Sequence, residues 1–153
     1  LKTHWFSQGG KETLQSYGVF SNDPKNWVLP KTHLNFFLSL KPFLLLKKTL
    51  VTHALPKLDY IESALSFLGT RKRVTGDTKE AIYSLLWNRS MKGVEGIKGT
   101  TLVSGHTPMS SIKRYKREKV IQIDTGCYSG ERLTAWCSEK DKVFFVRALK
   151  KYF

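Results

Sequence analysis

The sequence predicts an α/β layered domain that lacks its first strands, and three observations carry that reading. Helix-forming segments fill the first half of the chain, short strand-like runs cluster in the second, and two histidines stand where such runs give way to loops. With 153 residues, 41% of them hydrophobic and 12% aromatic, there is apolar material for one core. The chain is therefore expected to be globular and to form one domain over residues 1–153, with no internal repeat or low-complexity tract dividing it.

Taken in order, residues 5–17 (WFSQGGKETLQSY) predict a loop through Gly9 and Gly10 and then a short helix closed by Gly18. After the turn-rich SNDPKNW, residues 30–40 place Leu34, Phe37, Leu38 and Lys41 at three- and four-residue spacing behind Pro30, which predicts an amphipathic helix. Phe43–Leu46 and Thr49–Thr52, split by Lys47 and Lys48, read as a hairpin whose second strand ends at His53. Beyond the turn at Pro56, residues 57–67 and 79–87 read as helices on either side of a polar loop, RKRVTGDT. Strands are then expected at Thr101–Ser104, 120–124, 133–138 and 142–149, with turn residues between them. A sheet short of its first strands would expose an unpaired edge and an apolar face, so the chain is not expected to be stable alone.

Charge narrows the class of partner. The 26 Lys and Arg against 12 Asp and Glu give a net charge of +14, which favours phosphate-bearing partners: a nucleotide, a phosphoprotein or nucleic acid. The basic residues are scattered and lack the aromatic interleaving of a single-strand platform, which argues against nucleic acid. The cluster Lys113, Arg114, Lys116, Arg117 and Lys119 reads as a solvated loop. Cys127 and Cys137 match no metal or redox spacing and are expected to be buried free thiols in a reducing compartment. The apolar stretch 36–46 is broken by Ser39, Lys41 and Pro42 and falls well short of the roughly 20 residues a membrane span needs. With no secretion signal at its start, the chain is expected in the cytoplasm, away from membranes.

Four places can carry chemistry. His53 in LVTHALP and His106 in LVSGHTP each follow apolar residues at a strand end and precede a proline within three positions. A strand end holds the backbone while the loop exposes the imidazole, and ligands of open α/β sheets gather at such edges. Arg89, in LLWNRS just past a helix, carries a planar guanidinium able to hold two phosphate oxygens at once, or else completes the helix C-terminus. Asp124, between a strand and the glycines of IDTGCYSG, reads as a turn-capping carboxylate in preference to a metal ligand.

Together the ordered series GG-x-x-TL-x-SYG, V-x-HA-x-P, LLWNR, VSGHTP and IDTG with a following LTAW resembles the calcineurin-like metallophosphoesterases. The likeness is to the phosphoprotein phosphatase branch, of the bacterial and phage Ser/Thr phosphatase or diadenosine tetraphosphatase type, and runs from Trp5 to about Val146. It implies a layered α/β sandwich of the metallophosphoesterase type. By that resemblance His53 and His106 are two ligands of a centre of two divalent metal ions, Mn foremost, with Fe, Zn or Ni as other occupants. Arg89 binds substrate phosphate, Asp124 is structural, and Gly105 lets the His106 loop approach the metal. The implied reaction is hydrolysis of a phosphate ester by a hydroxide activated between two metals, the substrate being a phosphorylated protein or a nucleotide such as a dinucleotide polyphosphate.

The sequence departs from the pattern in what precedes it. The family's D-x-H, G-D-x-x-D-R and G-N-H-[DE] elements come before the GG-x-x-TL segment, and His4 and His33 lack the flanking carboxylates to replace them. The chain is therefore expected to be the C-terminal portion of a catalytic domain, inactive by itself. The alternative expectation is a non-catalytic, degenerate phosphatase domain kept as a basic binding or assembly module.

Overall fold

A computed structural model describes residues 2–57, 60, 76–95, 99–117 and 119–151. They form two compact units, residues 1–40 and 41–153. The expected helix at 57–67 and most of the RKRVTGDT loop lie outside the described residues.

In the first unit, α1 (Lys2–Trp5) runs through a π-helical turn (Phe6–Gly10) into α2 (Lys11–Ser16). The expected loop is thus a kink, with Gly9 at φ 91° supplying the left-handed residue it needs. Gly18, at φ 72°, closes α2 as expected, its N–H bonding the Gln15 carbonyl and that of Val19 the Leu14 carbonyl. A helix forms behind Pro30 as α3 (Lys31–Ser39), but its apolar face is not covered: Leu34, Phe36, Phe37 and Leu38 are all exposed. Forty residues are too few to cover it; among the described residues the unit's buried hydrophobics are Leu14 and Val19, beside a cluster of Trp5, Phe6 and Trp27.

The second unit is a mixed α/β structure. Its sheet has five strands in the order β1 (Phe43–Leu46), β2 (Thr49–Thr52), β3 (Thr101–Ser104), β5 (Val120–Gln122) and β4 (Lys113–Tyr115). β2, β3 and β5 are parallel, and the two outer strands pair antiparallel to their neighbours. Register puts Leu50 beside Leu102 and Leu102 beside Val120. These three share one face with Phe43 and pack on Ala81 and Leu85 of α4 (Gly76–Trp87), with Leu55 and Val94 completing the core. Ala81, Ser84 and Leu85 are buried at three- and four-residue spacing, the stripe a helix lays on a sheet. A separate hairpin pairs β6 (Arg132–Cys137) with β7 (Lys142–Arg147).

Three expectations need correction. The basic segment Lys113–Tyr115 is an edge strand and not a loop; its backbone pairs with β5, while Lys113 is exposed and Arg114 pairs with Asp141 at 2.7 Å. β5 ends at Gln122, because Asp124 is spent on a turn. Cys127 and Cys137 are free thiols but half-buried: one sits on a short 3₁₀ turn and the other at the end of β6. The expected apolar exposure is found on β1 and β2, where the cross-strand neighbours Leu44 and Val51 are 48% and 37% exposed. No helix among the described residues is long and apolar enough to cross a membrane.

Candidate metal and phosphate site

The parallel strands β2, β3 and β5 deliver their C-terminal ends to one edge of the sheet, so the loops bearing His53, His106 and Asp124 leave side by side. Backbone hydrogen bonds extend the sheet past its last rungs. Gly105 N–H donates to the His53 carbonyl at 3.0 Å, and Ile123 N–H to that of Ser104 at 2.9 Å. The last carbonyls of a helix have no partner within it, and those of α4 serve here as anchors. Ala54 N–H takes the Leu85 carbonyl at 2.8 Å, Leu55 N–H takes that of Asn88 at 3.3 Å, and the Asn88 amide donates to the Leu55 and Ser90 carbonyls. The end of α4, with Arg89 beyond it, is thereby tied to the loop that carries His53.

This scaffold brings the three sequence-predicted residues together. His53 Nε2 and His106 Nδ1 share a hydrogen bond at 3.1 Å, its direction set by the tautomers, with ring centroids at 4.8 Å. Arg89 Nη1 donates to the His106 carbonyl at 3.3 Å. Trp87, the last residue of α4, and His106 meet as a T-shaped pair with ring centroids 5.6 Å apart. Asp124 is close by but committed: its Oδ1 accepts from Gly126 N–H at 3.0 Å, the turn-capping arrangement read from the sequence.

His106 is held in an unusual conformation. Its φ is +67°, and the Thr107 N–H bonds the Gly105 carbonyl across it at 2.8 Å, which makes a three-residue turn of the rare positive-φ form. A side chain in this region costs on the order of 1–3 kcal/mol, and such strain concentrates where a group must be aimed. The strain sits on His106 and not on Gly105, where an added Cβ would meet only ordinary contacts: 3.7 Å to the His53 carbonyl and to Asp124 Cβ.

Electrostatics keep the His106 ring neutral. Burial lowers its pKa from the usual 6.5, and the Arg89 guanidinium and His53 lower it further; the Trp87 backbone and the Asp124 carboxylate pull the other way. Its Nε2 is buried without a hydrogen-bond partner among the described residues. A depressed histidine pKa means the unfolded chain binds the proton more tightly. The stability this gives is present above pH 6.5 and is lost as pH falls through the lowered value. Urea unfolding midpoints should accordingly drop between pH 7 and 5 for the wild type, and drop less for His106→Asn.

The metal donor set is partial. Two nitrogens bound to one cation by bonds of about 2.1 Å lie about 3.0 to 3.4 Å apart, so the observed pair fits two neighbouring ligands of a single ion. Among the described residues no group of three His, Cys, Asp or Glu is placed to complete a metal site. A cavity of about 320 Å³ opens beside the pair, lined by His53, His106, Asp124, Cys127, Arg132 and Thr134 among others. Arg132 is not singled out by the sequence, and Cys127 is read there only as a free thiol; the glycines at 126 and 130, which bend the chain back to the sheet edge, are the signal that places them there. No family model matches the chain, and no curated protein matches it.

Proposed function

We propose that this chain carries the histidine and arginine part of a metal-dependent phosphoesterase site of the calcineurin-like type. The observation that carries the reading is the convergence of His53 and His106, which lie 53 positions apart in sequence, on one point at the ends of parallel strands with Arg89 at the same place. The five motifs in the family's order support it independently, as does a basic chain suited to an anionic ester.

In this reading His53 Nε2 and His106 Nδ1 hold one divalent cation, and a centre of two, Mn foremost, takes its further ligands from elsewhere in the protein. When bound, the metal supplies Lewis-acid polarisation of the phosphoryl group. His106 contributes a ring that burial and Arg89 keep unprotonated near neutral pH, ready to coordinate. Arg89 donates one N–H to the His106 carbonyl and leaves the rest of its fork for phosphate oxygens, where its charge offsets that developing on the ester. Substrates of the class are phosphorylated proteins or nucleotides.

The test is hydrolysis of p-nitrophenyl phosphate with added Mn. It compares this chain, the chain extended upstream in its natural reading frame, and the extended His106→Ala variant. Activity confined to the extended protein and absent in the variant is expected. Inactivity of every form would overturn the reading in favour of a non-catalytic basic binding module.

A further inference from the structure

Beside the histidine cavity lies a second cleft, of about 360 Å³, lined by Gly130, Glu131, Arg132, Phe145 and Arg147. Arg132 and Arg147 are directly opposed in the register of β6 and β7, on the same face of the hairpin. Like charges directly opposite across a strand pair destabilise it, so the arrangement calls for a counter-charge. Glu131 reaches the cleft, but neither arginine forms an ion pair among the described residues. The chain at Lys151 adds no acid: a Cβ built on Gly130 would sit 3.3 Å from Lys151 Cβ.

Arg132 is set up to bind and not to wander. Its guanidinium carbon lies 5.1 Å from the centroid of the Phe145 ring, and Nη2 donates to the Ser110 carbonyl. One nitrogen is therefore fixed and the plane of the fork is oriented, while the remaining N–H groups are free to meet an anion. Arg132 also lines the histidine cavity, so the two spaces share this one cation as a wall.

We propose that the Arg132–Arg147 cleft is an anion subsite that takes a second phosphate of a ligand whose first phosphate lies in the histidine cavity. It rests on the phosphoesterase reading and narrows the substrate class to compounds with linked phosphates, such as nucleoside polyphosphates, over simple phosphomonoesters. A phosphoserine side chain offers one phosphate and would leave the arginine pair unsatisfied.

Isothermal titration of the upstream-extended protein without added metal, using methylenediphosphonate and inorganic phosphate as probes, tests this. Diphosphonate is expected to bind about tenfold tighter than phosphate, the effect of one added charge-assisted contact. Arg147→Met should erase that preference with phosphate binding little changed, and Arg147→Lys should restore part of it. Arg147 is exposed, so neither variant threatens the fold. Equal affinities for the two probes, no binding of either, or a preference that survives Arg147→Met would overturn the subsite. The phosphoesterase reading fails separately, by the absence of Mn-dependent hydrolysis in the extended protein.

Discussion

Replacing His106 with glycine is expected to abolish metal binding while leaving the stability of the metal-free chain within about 1 kcal/mol of the wild type. Two effects nearly cancel on the stability side. Glycine relieves the positive φ of +67° that histidine sustains at a cost, but it forfeits the edge contact of the imidazole on Trp87 and adds freedom to the unfolded chain. Arg89 bonds the carbonyl of residue 106, which any residue there supplies, so the loop keeps its anchor. On the binding side nothing compensates: one of two converging nitrogens is gone. Altering even the outer partners of a ligand weakens metal affinity by roughly 10–100-fold, and loss of the ligand itself should exceed that. Unfolding curves and zinc titrations on the same preparations separate the two effects. A large destabilisation with unchanged zinc affinity would mean that the His106 ring is a packing residue.

The largest loss of stability is expected at Leu50. It is 0% exposed and lies between β1 and β3 in the sheet, beside Leu102 and within the core that Leu85 of α4 completes. Leu50→Ala removes its packing and leaves a cavity that two rigid strands cannot close, at a cost of about 2–5 kcal/mol, a large share of the roughly 5–15 kcal/mol that stabilises a domain. Because β2 leads straight to His53, the same change should loosen the candidate site. Phe37→Ala, on the uncovered face of α3, is the comparison: that side chain is 46% exposed, and the change should stay within about 0.5 kcal/mol. Urea unfolding of the two variants gives the contrast, and equal effects would contradict the assignment of the core to the second unit.

How far the sequence foretold this depended on whether the cue was local. The hairpin over Phe43–Leu46 and Thr49–Thr52 is legible because two apolar β runs flank a lysine pair, and Thr101–Ser104 because Leu102 and Val103 precede the turn signal Gly105. His53 and His106 are legible as strand-end residues by the same logic, and their convergence follows from β2 and β3 being parallel neighbours. Local spacing over 53 positions does not show that the two rings meet. β4 was hidden because Lys113 and Arg114 read as a polar loop, and what makes it a strand is antiparallel pairing with β5, Tyr115 lying opposite Val120. That nothing covers the apolar face of α3 is not legible either, since an amphipathic pattern states which face is apolar and not whether anything packs on it. Arg132 escaped notice for a related reason. Its meaning arises from Arg147 across the hairpin and from the cavity it shares with His53 and His106.

The central claim is that His53 and His106 jointly hold one divalent cation, and zinc titration followed by histidine ring ¹H–¹⁵N correlation spectra tests it most directly. The account predicts that the His53 and His106 signals move together and saturate at one zinc per chain, with the His4 and His33 signals unmoved. Movement of only one of the pair, or of all four histidines alike, would contradict it.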